Sequence, residues 1–170
     1  MIKQISFALL SLCIVVIHTS CNSKDKERPS PLRSDTTTVN SSNLKIEFGS
    51  PAVKERVIWG GLESYGEIWR TGANEATRLT TTKGIKINGM ALDSGKYSLF
   101  TIPRENEWTF ILNENYKQWG TYDYDSTLDV LRTTIIPEKS AEFSERMKFY
   151  FENDSLKFHW ENLKFSLSLE

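Results

Sequence analysis

The chain has 170 residues, of which 39% are apolar and 12% are aromatic, which is enough to bury one compact core. Its net charge of −1 excludes the strongly basic surface that is expected of a nucleic-acid-binding protein. No run of basic residues predicts binding to an anionic lipid surface either.

Residues 1–20 are predicted to be a secretory signal peptide. Lys3 gives a positive start, residues 5–17 form an almost unbroken apolar run, and the small residues Thr19 and Ser20 precede Cys21. The run is shorter than the ~20 apolar residues that a membrane-spanning helix needs. The segment resembles a bacterial lipoprotein signal, which implies that Cys21 is lipidated and becomes the new N-terminus. The protein is then expected in the cell envelope, lipid-anchored at the periplasmic or surface face of the outer membrane.

Removal of the signal peptide would also remove Cys13 and His18, leaving Cys21 and His159 as the only cysteine and histidine of the mature chain. An intramolecular disulfide and a cysteine-rich or multi-histidine metal site are then ruled out by number alone. A site for a hard cation built only from oxygen ligands stays open. The sequence therefore predicts no metal and no cofactor.

Residues 21–43 are predicted to be the lipidated cysteine followed by a disordered tether. The segment is rich in Ser, Thr and Asn, contains Pro29 and Pro31, and offers almost no apolar side chains to bury. We expect a passive connection between the lipid anchor and the folded domain.

Residues 44–170 are predicted to form one all-β domain. Apolar and polar residues alternate over 107–112, 147–152, 156–160 and 163–169, as in strands with one face in a core. Turn signals such as Asn88-Gly89 separate the runs. One or two helical turns are expected over residues 140–147, which begin with a serine. Short strands without long helices predict an antiparallel β-sandwich of the jelly-roll or Ig-like kind.

Residues 69–77, WRTGANEAT, break this alternation and concentrate functional groups in what should be a loop. In one interpretation, Trp69, alone or together with Trp59 or Trp119, stacks on a sugar ring. Arg70, Asn74 and Glu75 then bind its hydroxyl groups, or Arg70 binds a small anionic ligand. In the other interpretation, Trp69 lies in the core and Arg70 pairs with Glu75 to fix a corner between the sheets. The sequence leaves both open.

A second loop, around Gly120, carries four aromatic residues: Tyr116, Trp119, Tyr122 and Tyr124. These side chains could line a groove for a sugar, or they could fold back and cap the core. Capping is the commoner arrangement for aromatic residues in a long loop and is the one expected here.

The run from Trp69 to Thr77, together with Asn88-Gly89, the segment SGKYSLFTIP over residues 94–103, Trp108 and Trp119-Gly120, resembles the DUF2911 family of domains of unknown function. The resemblance covers about residues 44–170. It implies a secreted or lipid-anchored β-rich domain and carries no list of catalytic residues.

The sequence therefore favours an envelope-anchored lipoprotein whose domain is a non-catalytic binding or structural module. Its expected partners are the membrane, through the lipid, and a glycan or small anionic ligand, with no nucleic acid. The alternative is a carbohydrate-active hydrolase that uses Glu75 as a catalytic carboxylate, with Glu67, Asp123 or Asp125 as its partner.

Overall fold

A computed structural model describes residues 28–170. The predicted signal peptide and the lipidation site Cys21 lie outside the described residues. Ten strands account for most of the described chain, and the only helical element is one 3-10 turn over Ser126–Leu128. The strands are β1 Leu32–Val39, β2 Ser42–Gly49, β3 Thr77–Thr81, β4 Ile85–Ile87, β5 Met90–Leu92, β6 Gly95–Ile102, β7 Trp108–Asn113, β8 Asp129–Ile135, β9 Glu138–Phe151 and β10 Ser155–Ser168.

The strands pair as antiparallel neighbours in three sheets. The main sheet has six strands in the order β1-β2-β3-β6-β7-β8, while β9 pairs with β10 and β4 pairs with β5. The prediction of an all-β, antiparallel fold is confirmed. The main sheet is a meander into which the β4–β5 hairpin is inserted, and it lacks the Greek-key connections of jelly-roll and Ig-like sandwiches.

Three hairpins turn through pairs of residues with positive φ angles. These pairs are Asn40-Ser41, Asn88-Gly89 and Asn153-Asp154, with φ between 47° and 77°. Two consecutive left-handed residues give the turn whose twist matches that of the flanking strands, and Asn, Asp and Gly tolerate this conformation best. These turns place β1 beside β2, β4 beside β5 and β9 beside β10.

The long β9–β10 hairpin packs its apolar face on the main sheet. Phe149 meets Phe48 of β2 with ring centroids 5.5 Å apart, and Phe158 and Phe165 meet Trp108 of β7 at 5.9 and 5.8 Å. These edge-to-face contacts bury large apolar areas in one continuous core. Aromatic packing between the two layers therefore holds the domain together.

Two sequence predictions about secondary structure are wrong. The tether was expected to run to Asn43, but residues 32–39 form β1, which pairs with β2 from Leu32↔Gly49 to Val39↔Ser42. Backbone pairing along a sheet edge needs few apolar side chains, and most β1 residues are exposed or half-buried. Residues 140–147 belong instead to β9, which pairs with β10 through Ser144↔Glu161, and a register shift there interrupts the alternation that starts at Met147.

Candidate functional site

A cleft of about 330 Å³ opens at the edge of the main sheet where β1 begins and β2 ends. Its walls come from three parts of the chain: the β1–β2 pair, the start of β3, and the loop between β7 and β8. The lining residues are Leu32, Glu47, Phe48, Gly49, Glu75, Ala76, Arg78, Tyr116, Lys117, Gln118 and Trp119. The cleft therefore joins both of the segments that the sequence singled out, residues 69–77 and the aromatic loop.

Residues 69–77 form a tightly bonded corner that leads into β3. Trp69 exchanges two backbone hydrogen bonds with Thr101, of 2.8 and 2.9 Å. The Thr77 hydroxyl donates to the carbonyl of Thr71 at 2.7 Å, and the hydroxyl of Thr71 lies 3.0 Å from that of Thr101. Thr71 and Asn74 both have positive φ angles, of 48° and 69°. The bonds that hold this strained path fix the position of Glu75 at the cleft.

Trp69 itself is a core residue. Its side chain is 3% exposed, and it stacks on Trp160 with centroids 5.8 Å apart. Its indole Nε1 donates to the carbonyl of Gly72 at 3.2 Å. The hypothesis that Trp69 offers a free face to a ligand is therefore wrong for this arrangement, and the core interpretation of this residue agrees with its burial.

Arg70 and Glu75 do not form the expected ion pair. The Nη2 atom of Arg28 instead donates to Oε2 of Glu75 at 2.6 Å, although both side chains are more than a third exposed. Asn74 lies beside this pair and donates from Nδ2 to the carbonyl of Ser30 at 3.4 Å. Of the four residues predicted to bind a ligand, Glu75 alone lines the cleft, and Asn74 supports its rim.

The two carboxylates of the cleft are held in their charged forms. Burial alone would raise the pKa of Glu75, but the hydrogen bond and the charge of Arg28 outweigh it and lower the pKa. The pKa of Glu47 is lowered in the same way: burial opposes the change, while Lys45 and Arg78 favour the carboxylate. Arg78 reaches Oε2 of Glu47 through Nη2 at 3.1 Å. The cleft therefore presents carboxylates with guanidinium partners.

The aromatic loop closes the cleft by pairing with the corner. Gly120 donates its backbone N–H to Asn74 at 3.0 Å, and Ala76 donates to the carbonyl of Gln118 at 3.1 Å, which leaves Trp119 opposite Glu75. The Trp119 side chain is 54% exposed, in contrast to the buried tryptophans of the core. This exposed indole on the wall of a cleft is the flat apolar surface that was assigned to Trp69.

The aromatic residues of the loop do not all have the same role: one caps the core and others line the cleft. Tyr124 packs edge-on against Phe100 at 5.0 Å and donates its hydroxyl to Asp129 at 2.8 Å, so it caps a small second core. Trp119 lines the cleft, and Tyr122 is 87% exposed outside it. Capping is thus confirmed for Tyr124 and is wrong for the other three, since Tyr116 also lines the cleft.

Gln118 lines the cleft, but its amide group is enclosed. The residue is 7% exposed, and Nε2 donates to the carbonyl of Asn115 at 2.5 Å. Its Oε1 atom is buried and has no hydrogen-bond partner among residues 28–170. A buried carbonyl oxygen without a donor is costly, and because this one is closed to solvent it is not an acceptor for a ligand in the cleft.

A second group with unusual chemistry lies away from the cleft, in the loop before the corner. Burial raises the pKa of Glu63 to about 7, against the opposing charges of Arg70 and Arg56. The Nε atom of Arg70 is buried and has no hydrogen-bond partner within the described part of the chain. Glu63 and Arg70 do not line the cleft. No sequence pattern selects Glu63, because its burial depends on how the loop folds.

Within residues 28–170, no set of three or more histidine, cysteine or acidic side chains is arranged to hold a metal ion. In the same part of the chain, no helix has the length and apolar character needed to cross a bilayer.

A family model described as a protein of unknown function, DUF2911, matches residues 30–169. No curated protein and no solved structure matches the chain. The matched residues begin just before β1, which agrees with the inclusion of this strand in the folded domain.

Proposed function

Because the chain belongs to the DUF2911 family, whose function is unknown, we propose a function from the geometry of the cleft: the domain is a non-catalytic module that binds a carbohydrate. The observation that carries the proposal is Trp119, a half-exposed indole on the wall of a cleft that also presents charged, hydrogen-bonding side chains.

Sugar rings have apolar faces and hydroxyl edges, and a binding site needs groups that suit both. The face of Trp119 suits the ring, with Leu32 as a second apolar surface in the same cleft. Glu47 and Glu75 accept hydrogen bonds, and Arg78 and Lys117 donate them. Sugar hydroxyls can satisfy acceptors and donors together, whereas a small anion would satisfy only the two cations and would be repelled by the two carboxylates.

The pKa values favour binding over hydrolysis. A glycoside hydrolase needs a protonated carboxyl group beside the scissile bond, and such an acid has a raised pKa. The pKa values of Glu47 and Glu75 are both lowered by their cationic partners. Glu63, whose pKa is about 7, is not among the residues that line the cleft. A lowered pKa suits the nucleophile or base of such an enzyme, but the hydrolase alternative finds no protonated acid among these two carboxylates.

We further propose that the module is anchored to the outer membrane by a lipid on Cys21 after removal of residues 1–20. Support comes from the sequence: an apolar run with a charged start, followed by two small residues and a cysteine. Growth with a radiolabelled fatty acid tests this step. The wild-type chain should carry the label, and a Cys21→Ser variant should not.

Binding is tested on an array of immobilised glycans, probed with the mature chain carrying Cys21→Ser so that it stays in solution. Wild-type protein should bind at least one class of glycan, and Trp119→Ala should lose that signal by at least tenfold, as expected for the loss of about 1.4 kcal/mol or more. Tyr122→Ala is the matched control, since Tyr122 is exposed in the same loop but does not line the cleft. It should bind like the wild type.

Two results would contradict the proposal. One is the absence of binding to every glycan. The other is binding that Trp119→Ala and Tyr122→Ala reduce equally. Release of reducing sugar from a bound glycan, abolished by Glu75→Gln, would favour the hydrolase instead.

A further inference from the structure

We infer that the cleft faces the bilayer that holds the protein, and that its ligand is the saccharide head group of a lipid in that membrane. The inference rests on the proposed function in two respects: a lipid on Cys21 and carbohydrate binding in the cleft. It follows from where the chain enters the domain and from how little chain precedes that point.

The entry point is fixed at the rim of the cleft by contacts to four consecutive residues. Arg28 bonds to Glu75 at 2.6 Å, and the carbonyl of Pro29 accepts from Nη1 of Arg146 at 3.3 Å. The carbonyl of Ser30 accepts from Asn74 at 3.4 Å, and that of Pro31 accepts from the backbone N–H of Ser50 at 2.9 Å. The chain therefore joins the domain beside Glu75, which is the backbone bridge partner of Trp119.

Only a short stretch separates this point from the proposed anchor. Arg28 lies seven residues after Cys21. A fully extended chain of seven residues spans at most ~25 Å. The root-mean-square span of a flexible chain of that length is roughly 15 Å. The tether expected from the sequence was about three times longer and would have let the cleft face in any direction.

Strand β1 then leads away from the cleft. It runs from Leu32, which lines the cleft, to Val39 at the far end of the strand. At ~3.3 Å per residue the strand carries the chain roughly 23 Å from the cleft. With the cleft end held near the bilayer, a saccharide on a lipid of the same leaflet lies within its reach. A glycan farther from the membrane would have to pass between the domain and the bilayer.

The orientation is measured by energy transfer from the lipidated full chain, reconstituted in phosphatidylethanolamine vesicles that contain an acceptor-labelled lipid. A donor dye is attached at Tyr122→Cys, beside the cleft, or at Thr38→Cys, at the far end of β1; both residues are exposed. Cys21 carries the lipid, so each variant has one free thiol. Transfer should be stronger from position 122. The difference between the two positions should shrink when a flexible insert of ~20 residues follows Asn22, because the domain can then turn.

The ligand is measured in the same vesicles, prepared with or without the diacylglycerol conjugate of the saccharide that binds best on the array. The fluorescence of Trp119 is obtained as the difference between the wild type and Trp119→Phe. The conjugate should decrease the quenching of this fluorescence by acrylamide, and the ~20-residue insert should weaken the protection. Equal transfer from both positions, or stronger transfer from position 38, overturns the inference while leaving the array result intact. A different outcome is stronger transfer from position 122 together with no binding to any glycan on the array. The proposed function has then failed, and the inference fails with it because the cleft has no saccharide ligand.

Discussion

Removing the carboxylate of Asp129 should destabilise the domain by breaking the polar cluster under the aromatic loop. Asp129 begins β8, and its side chain is 3% exposed. It accepts from the Tyr124 hydroxyl and from Nδ2 of Asn113, both at 2.8 Å, and it also pairs with Arg132. These contacts connect the end of the loop that carries Trp119 to the main sheet.

The size of the effect follows from the groups that Asp129→Ala leaves without an acceptor. The Tyr124 hydroxyl and one N–H of the Asn113 amide lose their bonds in a part-buried site, at about 1–3 kcal/mol each, while Nδ2 of Asn113 still donates to the carbonyl of Asp125. Arg132 is 45% exposed and can be solvated, so it adds little. We expect a loss of roughly 3 kcal/mol in the free energy of unfolding, and a fall of ~10 °C in melting temperature for a domain of this size.

Thermal unfolding followed by near-ultraviolet circular dichroism measures this change. Asp123→Ala is the control, since Asp123 lies exposed in the same loop and its carboxylate makes no hydrogen bond to any residue among 28–170. It should melt as the wild type does. Asp129→Asn keeps one acceptor, so its melting temperature should lie between those of Asp129→Ala and Asp123→Ala. If Asp129→Ala melted like the control, the buried cluster would not contribute to stability, and the assignment of the loop's anchor would be wrong.

Three further predictions concern other parts of the chain. Burial raises the pKa of Glu63 from 4.5 to about 7, so the folded state binds the carboxyl proton more tightly than the unfolded state does. The contribution of this bound proton to the stability of the fold is lost as the pH rises through 7. Glu63→Gln should therefore melt above the wild type by the equivalent of ~2–3 kcal/mol near pH 8, and by much less near pH 5; an equal difference at both values would contradict this. Gly49→Ala would place a Cβ atom 2.0 Å from the carbonyl oxygen of Ala73, so it should yield little folded protein on expression. Gly84→Ala, whose Cβ would lie 3.6 Å from its nearest neighbour, should express normally. Glu75→Ala should lower the melting temperature by a few degrees at most, because both members of its ion pair are partly exposed, and a fall as large as that of Asp129→Ala would identify a buried structural pair instead.

Much of the fold could be predicted because its strands alternate and its hairpin turns have distinctive residues. Asn88-Gly89 is such a turn, and both of its residues have positive φ angles. Strand β1 was missed because it lies at the sheet edge and uses threonines, so its residues resemble those of a polar linker. Apolar patterning identifies strands that bury a face, and a mostly exposed edge strand gives little such signal.

The candidate site could be located only in part. The sequence marked the corner and the aromatic loop, and the fold brings both to one cleft. It could not show which tryptophan is exposed, since Trp69 and Trp119 both stand next to glycines and polar residues. Trp69 is 3% exposed and Trp119 is 54% exposed. The burial of Trp69 follows from its packing on Trp160, a residue about 90 positions away. Arg28 was missed for the same reason, because its contact with Glu75 joins distant parts of the chain.

The central claim is that the cleft binds a sugar through the face of Trp119. It is tested most directly by following the indole N–H signals of ¹⁵N-labelled protein during titration with the glycans that bind on the array. The chain has five tryptophans, so five indole signals are expected, and the spectrum of Trp119→Phe identifies the signal of Trp119. We predict that the Trp119 signal shifts with saturating dependence on the glycan while the signals of the buried tryptophans stay in place. A bound glycan that leaves the Trp119 signal unmoved would contradict the account.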